Sequence, residues 1–179
     1  MVAAAASASA QAHPQSQARP QQPSVYAPYA PLIGEWSLAS ADGTPVGTSR
    51  FSWGPGQSYI WFATALAEQG REVPHFEGIL VWNGLNRNLD MLLSIDLQGG
   101  RAQESGTLAV APDGTLIRDH AATYTATATR PAFRETFRQT FRLEGPDRIA
   151  TSVMRRTATG WVPTFPGSDA LVMTRRRSR

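Results

Sequence analysis

From Leu32 onward, short apolar-rich segments alternate with breaks built from Gly, Pro, Asp and Asn. The segments fall at 34–40, 48–53, 58–66, 75–82, 88–97, 104–110, 115–126, 131–145, 147–156 and 170–176. Asn83-Gly84 and Pro112-Asp113-Gly114 between neighbouring segments are strong hairpin signals, because such residues tolerate the backbone angles a tight turn demands. No apolar stripe of helical period runs beyond two turns, and residues 61–72 are the best helical competitor. About ten short strands at this spacing predict an all-β fold, an antiparallel up-and-down β-barrel of about 8–10 strands.

The segment 131–145, PAFRETFRQTFRLEG, tests that reading because its phenylalanines Phe133, Phe137 and Phe141 recur every fourth position. A helix would find Pro131 near its start and Gly145 after its end. It would also stack Arg134, Arg138 and Arg142 as like charges one turn apart and include the poor helix formers Thr136 and Thr140. As a strand, the even positions from 134 read Arg, Thr, Arg, Thr, Arg and suit water. The odd positions then face inward and carry Glu135 and Gln139 among Phe133, Phe137, Phe141 and Leu143.

A carboxylate in an apolar interior is costly unless it is paired, hydrogen-bonded or neutralised. Glu135 therefore needs a partner: Arg118, His120 or His75 within the chain, or a ligand. The segment containing Arg118 and His120 has no clean apolar face, since Leu116, Arg118, His120, Ala122 and Tyr124 alternate with Thr115, Ile117, Asp119, Ala121 and Thr123. Its orientation stays open. In 75–82 the face Phe76, Gly78, Leu80, Trp82 reads as core, against His75, Glu77, Ile79, Val81. Tyr59 and Trp61 share a face of the third segment. Aromatic walls with a few convergent polar groups are the general character of a small-molecule site.

Charge changes the picture little. All seventeen basic residues are Arg, and five of them (Arg19, Arg175, Arg176, Arg177, Arg179) lie in the leading or trailing segments. The remainder holds twelve Arg against fourteen acids, so the body is mildly acidic, and nucleic acid is not an expected partner. Residues 1–31 are mostly Ala, Ser, Gln and Pro, a composition expected to stay disordered. Ala10-Gln11-Ala12 fits a signal-peptidase site, although a charged start is missing, and the reading is a periplasmic or secreted protein, with a cytoplasmic tail as the alternative. The domain division is thus 1–31, a barrel over 32–176, and a basic tail at 177–179. No apolar run approaches the ~20 residues of a membrane span. The absence of cysteine removes disulfides and thiolate chemistry. His75 and His120 fit no metal-ligand spacing, although two His with Glu77 or Asp119 would be a conceivable set. Nucleophile-elbow and phosphate-loop motifs are absent, and no cofactor is expected.

Gly34-Glu35-Trp36 on the first strand resembles the Gly-x-Trp hallmark of lipocalins and other calycin barrels, and 159–176 resembles the closing hairpin of small secreted lipocalin-like bacterial proteins. The resemblance implies that Trp36 closes one end of the barrel beneath an arginine from near the last strand, Arg175 or alternatively Arg176. It also implies a carrier or sensor of a small hydrophobic molecule. Barrels of this kind that hold haem do so through a late histidine, and none follows His120. The function expected is non-catalytic binding of a small hydrophobic molecule by Glu135, Gln139, Phe133, Phe137, Phe141, Arg118, His120, Tyr59 and Trp61. The alternative is a barrel isomerase, cyclase or hydrolase using Glu135 with His120 or His75 as acid and base. A third reading is an envelope module whose Arg tail touches anionic lipid.

Overall fold

The structure, a computed structural model, describes residues 24–97 and 100–177. The strands are β1 (Gly34–Ser40), β2 (Pro45–Trp53), β3 (Ile60–Glu68), β4 (Arg71–Asn83), β5 (Asn88–Leu97) and β6 (Gly100–Val110). They continue with β7 (Leu116–Tyr124), β8 (Phe133–Gly145), β9 (Arg148–Thr157), β10 (Gly160–Pro163) and β11 (Leu171–Arg175). Consecutive strands from β1 to β9 pair antiparallel, β11 pairs with both β9 and β1, and the sheet closes into a ten-strand barrel. The extra strand β10 hairpins onto the distal half of β9, Trp161 opposite Arg156. It was not foreseen from the sequence because four residues with no buried side chain leave no periodic signal. Residues 61–72 form no helix; they complete β3 and turn into β4.

Strand alternation puts Trp36, Leu38, Phe51, Ile60, Phe62, Leu80, Met91, Leu93, Leu108, Leu116, Phe141 and Met173 inside. An odd-position face of β8 is inward, as period two required: Phe137, Gln139 and Phe141 are buried while Arg134 and Thr136 are exposed. One residue breaks the pattern in β4. Thr64 faces Phe76 but Ala65 faces Pro74, so His75 is the extra residue of a β-bulge.

One end of the barrel is closed by the segment just before β1, a 3-10 helix at Ala27–Leu32. Tyr26, Tyr29 and Leu32 are buried there, which corrects the expected disorder for residues 24–31; residues 1–23 lie outside the described residues, as do 178–179 of the basic tail. Composition missed the plug because three apolar side chains spaced three apart are diluted by Ala and Pro. Their polar tips are all used: Tyr26 Oη donates to the Ser58 carbonyl (2.6 Å) and accepts from Trp82 N–H, and Tyr29 Oη donates to the Leu108 carbonyl (3.2 Å). Trp36 Nε1 donates to the Leu32 carbonyl at 2.8 Å.

Arg175 fastens this end. Its guanidinium lies over the Trp36 ring, 4.2 Å from the centroid, and donates to the carbonyls of Ile33 (2.7 Å), Pro31 (3.1 Å) and Pro146 (3.0 Å). Asp147 sits 3.2 Å from its Nε. Gly34 explains itself in this setting: its φ is +138°, and a Cβ there would run into the guanidinium. Arg176, the alternative candidate, instead turns outward to Glu72 at 3.3 Å.

A planar fork serving three carbonyls cannot be replaced by an ammonium. Arg175→Lys should therefore destabilise the fold by about 2–3 kcal/mol, the scale of two lost hydrogen bonds and a weakened cation–π contact. Urea unfolding checks this, and an unchanged midpoint would show the clamp to be ornamental.

Candidate functional site

An acid, an arginine and a histidine are buried among the described residues of the interior, near the polar pairs Ser49–Thr64 and Gln139–Thr151. Glu104 on β6 and Arg118 and His120 on β7 are each 5% exposed. Their placement follows from alternation. Leu108, Gly106 and Glu104 share the inner face of β6, and Leu116, Arg118, His120, Ala122 share that of β7. The register brings Glu104 opposite Ala122, one inward step from His120, and His120 Nε2 lies 3.4 Å from Glu104 Oε2. Aromatic rings frame the group. The Arg118 guanidinium sits 5.5 Å from the centroids of both Phe62 and Phe76, and His120 stacks on Phe137 at 5.4 Å.

Glu104 Oε2, Arg118 Nε and His120 Nδ1 are buried and have no hydrogen-bond partner in the protein. An unmet buried polar atom costs about 1–3 kcal/mol, more when charged, so three in one place are unusual. Burial pushes the Glu104 carboxyl up from its ordinary range, and the Arg118 charge opposes that rise. Burial likewise pulls Arg118 down, opposed by Glu104. The two act on each other as opposite charges in a medium of low dielectric. His120 is driven down to about 2 by burial and by the Arg118 charge, with a smaller opposing contribution from the Arg118 backbone. Its imidazole is therefore neutral, and its contact with Glu104 is a polar contact and not an ion pair.

Toward the end opposite the plug lies a second polar group. Glu135 points inward on β8, as the alternation required, but its partner is Arg155 on β9, with Nη1 3.1 Å from Oε1. None of the three expected partners, Arg118, His120 or His75, holds it. The Glu135 side chain is 26% exposed, so this pair sits at the rim and not in the core. Tyr124 stacks on Phe133 at 4.3 Å, and burial together with the charges of Glu135 and Glu104 pushes its hydroxyl up to about 12. Arg130 lies over the other partner of that stack, 3.5 Å from the Phe133 centroid. Gln139 is buried and donates to Thr151 Oγ1 at 3.2 Å, while Phe141 packs into the core against Phe51. Five expected residues thus share the interior wall of β7 and β8: Arg118, His120, Phe137, Gln139 and Phe141. Glu135 and Phe133 stand at its rim.

Three others are not inside. His75 is the bulge residue and faces the outer surface, where burial lowers its pKa. Alternation from the inward Phe76 puts it there, on the face it shares with Glu77, and the bulge changes only the register ahead of it, where Pro74 faces Ala65. Trp61 is on the outer face of β3, whose inner face is Ile60, Phe62 and Thr64. Tyr59 precedes β3 and lays its ring on Gly54. The enzymatic pairings of Glu135 with His120 or His75 are therefore not formed. The bulge also borders a concavity of about 710 Å³ on the outer wall above Ala63, Ala65 and Pro74. It is edged by Glu35, Arg50, Glu72, His75 and Arg176 and lies across the sheet from the buried cluster.

Glu104 went unrecognised in the sequence although a signal existed: extending the alternation back from Leu108 through Gly106 reaches it. Among the described residues, no three His, Asp or Glu side chains gather as a metal site, and no helix is long and apolar enough to cross a membrane.

No protein-family model matches the chain, and no curated protein matches it significantly. Among solved structures, the crystal structure of Rv2717c from M. tuberculosis is similar, with a TM-score of 0.52 and 18% identity over 87% of this chain and 99% of that one. That similarity is one of fold.

The neutral His120 makes stability depend on acid. The unfolded chain binds a proton there below about pH 6.5, whereas the folded chain does so only near 2, so stability falls as pH drops, by at most about 1.4 kcal/mol per pH unit. Glu104 acts in the opposite sense: with its folded pKa raised, its contribution is present at low pH and lost as pH rises through that value. In urea unfolding at about pH 6.5, 5.5 and 4.5, His120→Gln should lose stability less steeply than the natural chain. Equal slopes would show that His120 is not held neutral.

Proposed function

We propose that the chain is a lipocalin-like, non-catalytic binding barrel that holds a small hydrophobic molecule in its interior, with the molecule's polar end on Glu104, Arg118 and His120. The observation that carries this reading is the set of three unmet polar atoms inside an apolar wall. Packing alone leaves them costly, and a ligand that supplies partners offsets the cost. Ten strands enclose more space than the eight that suffice for a filled or singly occupied barrel. Ala102 and Ala122 carry small inward side chains beside Glu104 and His120. The plug closes one end, so entry is by the end bearing Glu135, Arg155 and Phe133. The segment with Ala10-Gln11-Ala12 supports a reading of export to the periplasm or beyond.

A second reading, a proton-transfer enzyme, draws on the 3.4 Å contact between Glu104 and His120. A base whose pKa lies near 2 is far from the operating pH at which such groups work best, so binding is better supported.

The neutral fluorophore N-phenyl-1-naphthylamine tests the proposal. Expected is a saturable, blue-shifted rise at about one probe per chain. The rise should be lost in Ala122→Phe, which sets a large ring between Glu104 and Glu135 on the inner wall, while circular dichroism stays that of a β-barrel. No rise in the natural chain, or an equal rise in the variant, would overturn interior binding.

A further inference from the structure

The arginines are unevenly shared between the walls of the barrel. Residues 130–156 hold seven Arg against three acids, whereas the rest of the body holds five Arg against eleven acids. That stretch leads into β8 and forms β8 and β9, so folding gathers it into one basic wall on an otherwise acidic barrel. Alternation leaves Arg134, Arg138 and Arg142 of β8 and Arg156 of β9 on its outer face.

Toward the plug these charges are answered within the chain. Glu144 holds Arg142 at 3.0 Å and Arg148 at 2.9 Å, and Asp119 accepts from Arg138 twice, at 2.7 and 2.8 Å. Toward the opposite end they are not. Among the described residues no acid reaches ion-pair distance of Arg130, Arg134 or Arg156, and all three are exposed. Two aromatic rings lie among them. The Arg130 guanidinium covers Phe133, 3.5 Å from its centroid. The β9–β10 hairpin sets Trp161 opposite Arg156, and its ring has Arg138 at 4.9 Å and Arg156 at 5.4 Å.

Arginines interleaved with aromatic rings suit two polyanions, a single-stranded nucleic acid and a bilayer bearing anionic headgroups. Nucleic acid uses the rings as stacking faces. Phe133 has no face to offer, because Tyr124 stacks on one side at 4.3 Å and Arg130 takes the other, and Trp161 is already contacted by two guanidiniums. A bilayer needs no open ring face, only cations close to phosphates and amphipathic rings at headgroup level. The excess of acids on the other walls is repelled by such a surface and turns this wall toward it. We infer that the outer wall carrying Arg130, Arg134, Arg156 and Trp161 docks the barrel on an anionic phospholipid surface. This docking is independent of interior binding, and of the arginines that follow Arg175 at the plugged end.

Co-sedimentation with vesicles of phosphatidylcholine containing about one-third phosphatidylglycerol, against vesicles of phosphatidylcholine alone, tests it. The natural chain should bind the anionic vesicles, bind the neutral ones far less, and come off as salt rises toward about 1 M, where the screening length is about 3 Å. Each arginine near such a surface contributes about fivefold, so Arg134→Gln with Arg156→Gln should raise the half-saturating lipid concentration about twenty-five-fold. Both side chains are exposed, so that variant should keep the natural urea midpoint. Arg50→Gln with Arg87→Gln removes the same charge from exposed positions on β2 and the β4–β5 turn and should change binding about twofold or less. No preference of the natural chain for anionic vesicles overturns the inference. So does equal weakening in the two double variants, which would make the effect one of net charge alone. So does binding that survives in Arg134→Gln with Arg156→Gln but is lost when the chain ends at Arg175. Tighter binding, per phosphate, to a single strand of about 15 thymidines than to the vesicles would mark the wall as a nucleic-acid surface and overturn it too.

Discussion

The Arg175 guanidinium is the interaction on which the barrel's asymmetry depends. It covers the Trp36 ring and collects carbonyls from Pro31, Ile33 and Pro146, which belong to the approach to β1 and to the β8–β9 turn. Those segments are distant in sequence, and no apolar contact alone would fix them so specifically. A guanidinium can, because its five N–H donors lie in one plane and its face suits an indole. With the plug held, Tyr26 and Tyr29 reach the ends of β4 and β6, and one end of the barrel is sealed.

That polarity gives the two interior acid groups different physics. Glu135 at the rim has an arginine within hydrogen-bond distance and partial exposure, so its pairing with Arg155 is ordinary rim architecture. Glu104, set opposite Ala122 from β6 as Glu135 is from β8, is more fully buried, has no hydrogen-bond donor for Oε2 and stands near a neutral histidine and an arginine set among phenylalanines. Burial of charge is tolerated in proteins when it is matched, and here the matching is by sign but incomplete in hydrogen bonds. The interior is thus locally unsatisfied in hydrogen bonds at this point. The outer concavity at the β4 bulge has the opposite character, being edged by exposed charges that already meet one another, such as Arg176 with Glu72.

Much of this was written in local sequence. Period-two alternation determined that 133–145 is a strand, that Phe137, Gln139 and Phe141 face inward with Glu135, and that Phe76, Leu80 and Trp82 belong to the core side of β4. Alternation is local because successive side chains of a strand point to opposite faces whatever the partner strand. The Gly34-x-Trp36 pairing with Arg175 was legible from a resemblance, and the positive φ of Gly34 and its contact with the guanidinium give the physical reason for the glycine. The ordered plug was hidden by its Ala and Pro neighbours, and β10 by its brevity.

Tertiary structure alone decided the partners. β7 has polar residues on both faces, so its alternation could not choose; closure against β6 and β8 turned Arg118 and His120 inward. Glu104 became the buried acid because the register sets it beside His120, and Arg155 became the partner of Glu135 because the sheet closes between β8 and β9. The bulge at His75 shifted the register of β4 ahead of it, setting Pro74 opposite Ala65, an effect of one unpaired residue that no alternation rule contains. The sequence by itself determined which side chains share a face of each strand. Which faces meet, and which charges are left facing one another, was decided by closure, since register and curvature are properties of paired strands and not of any one of them.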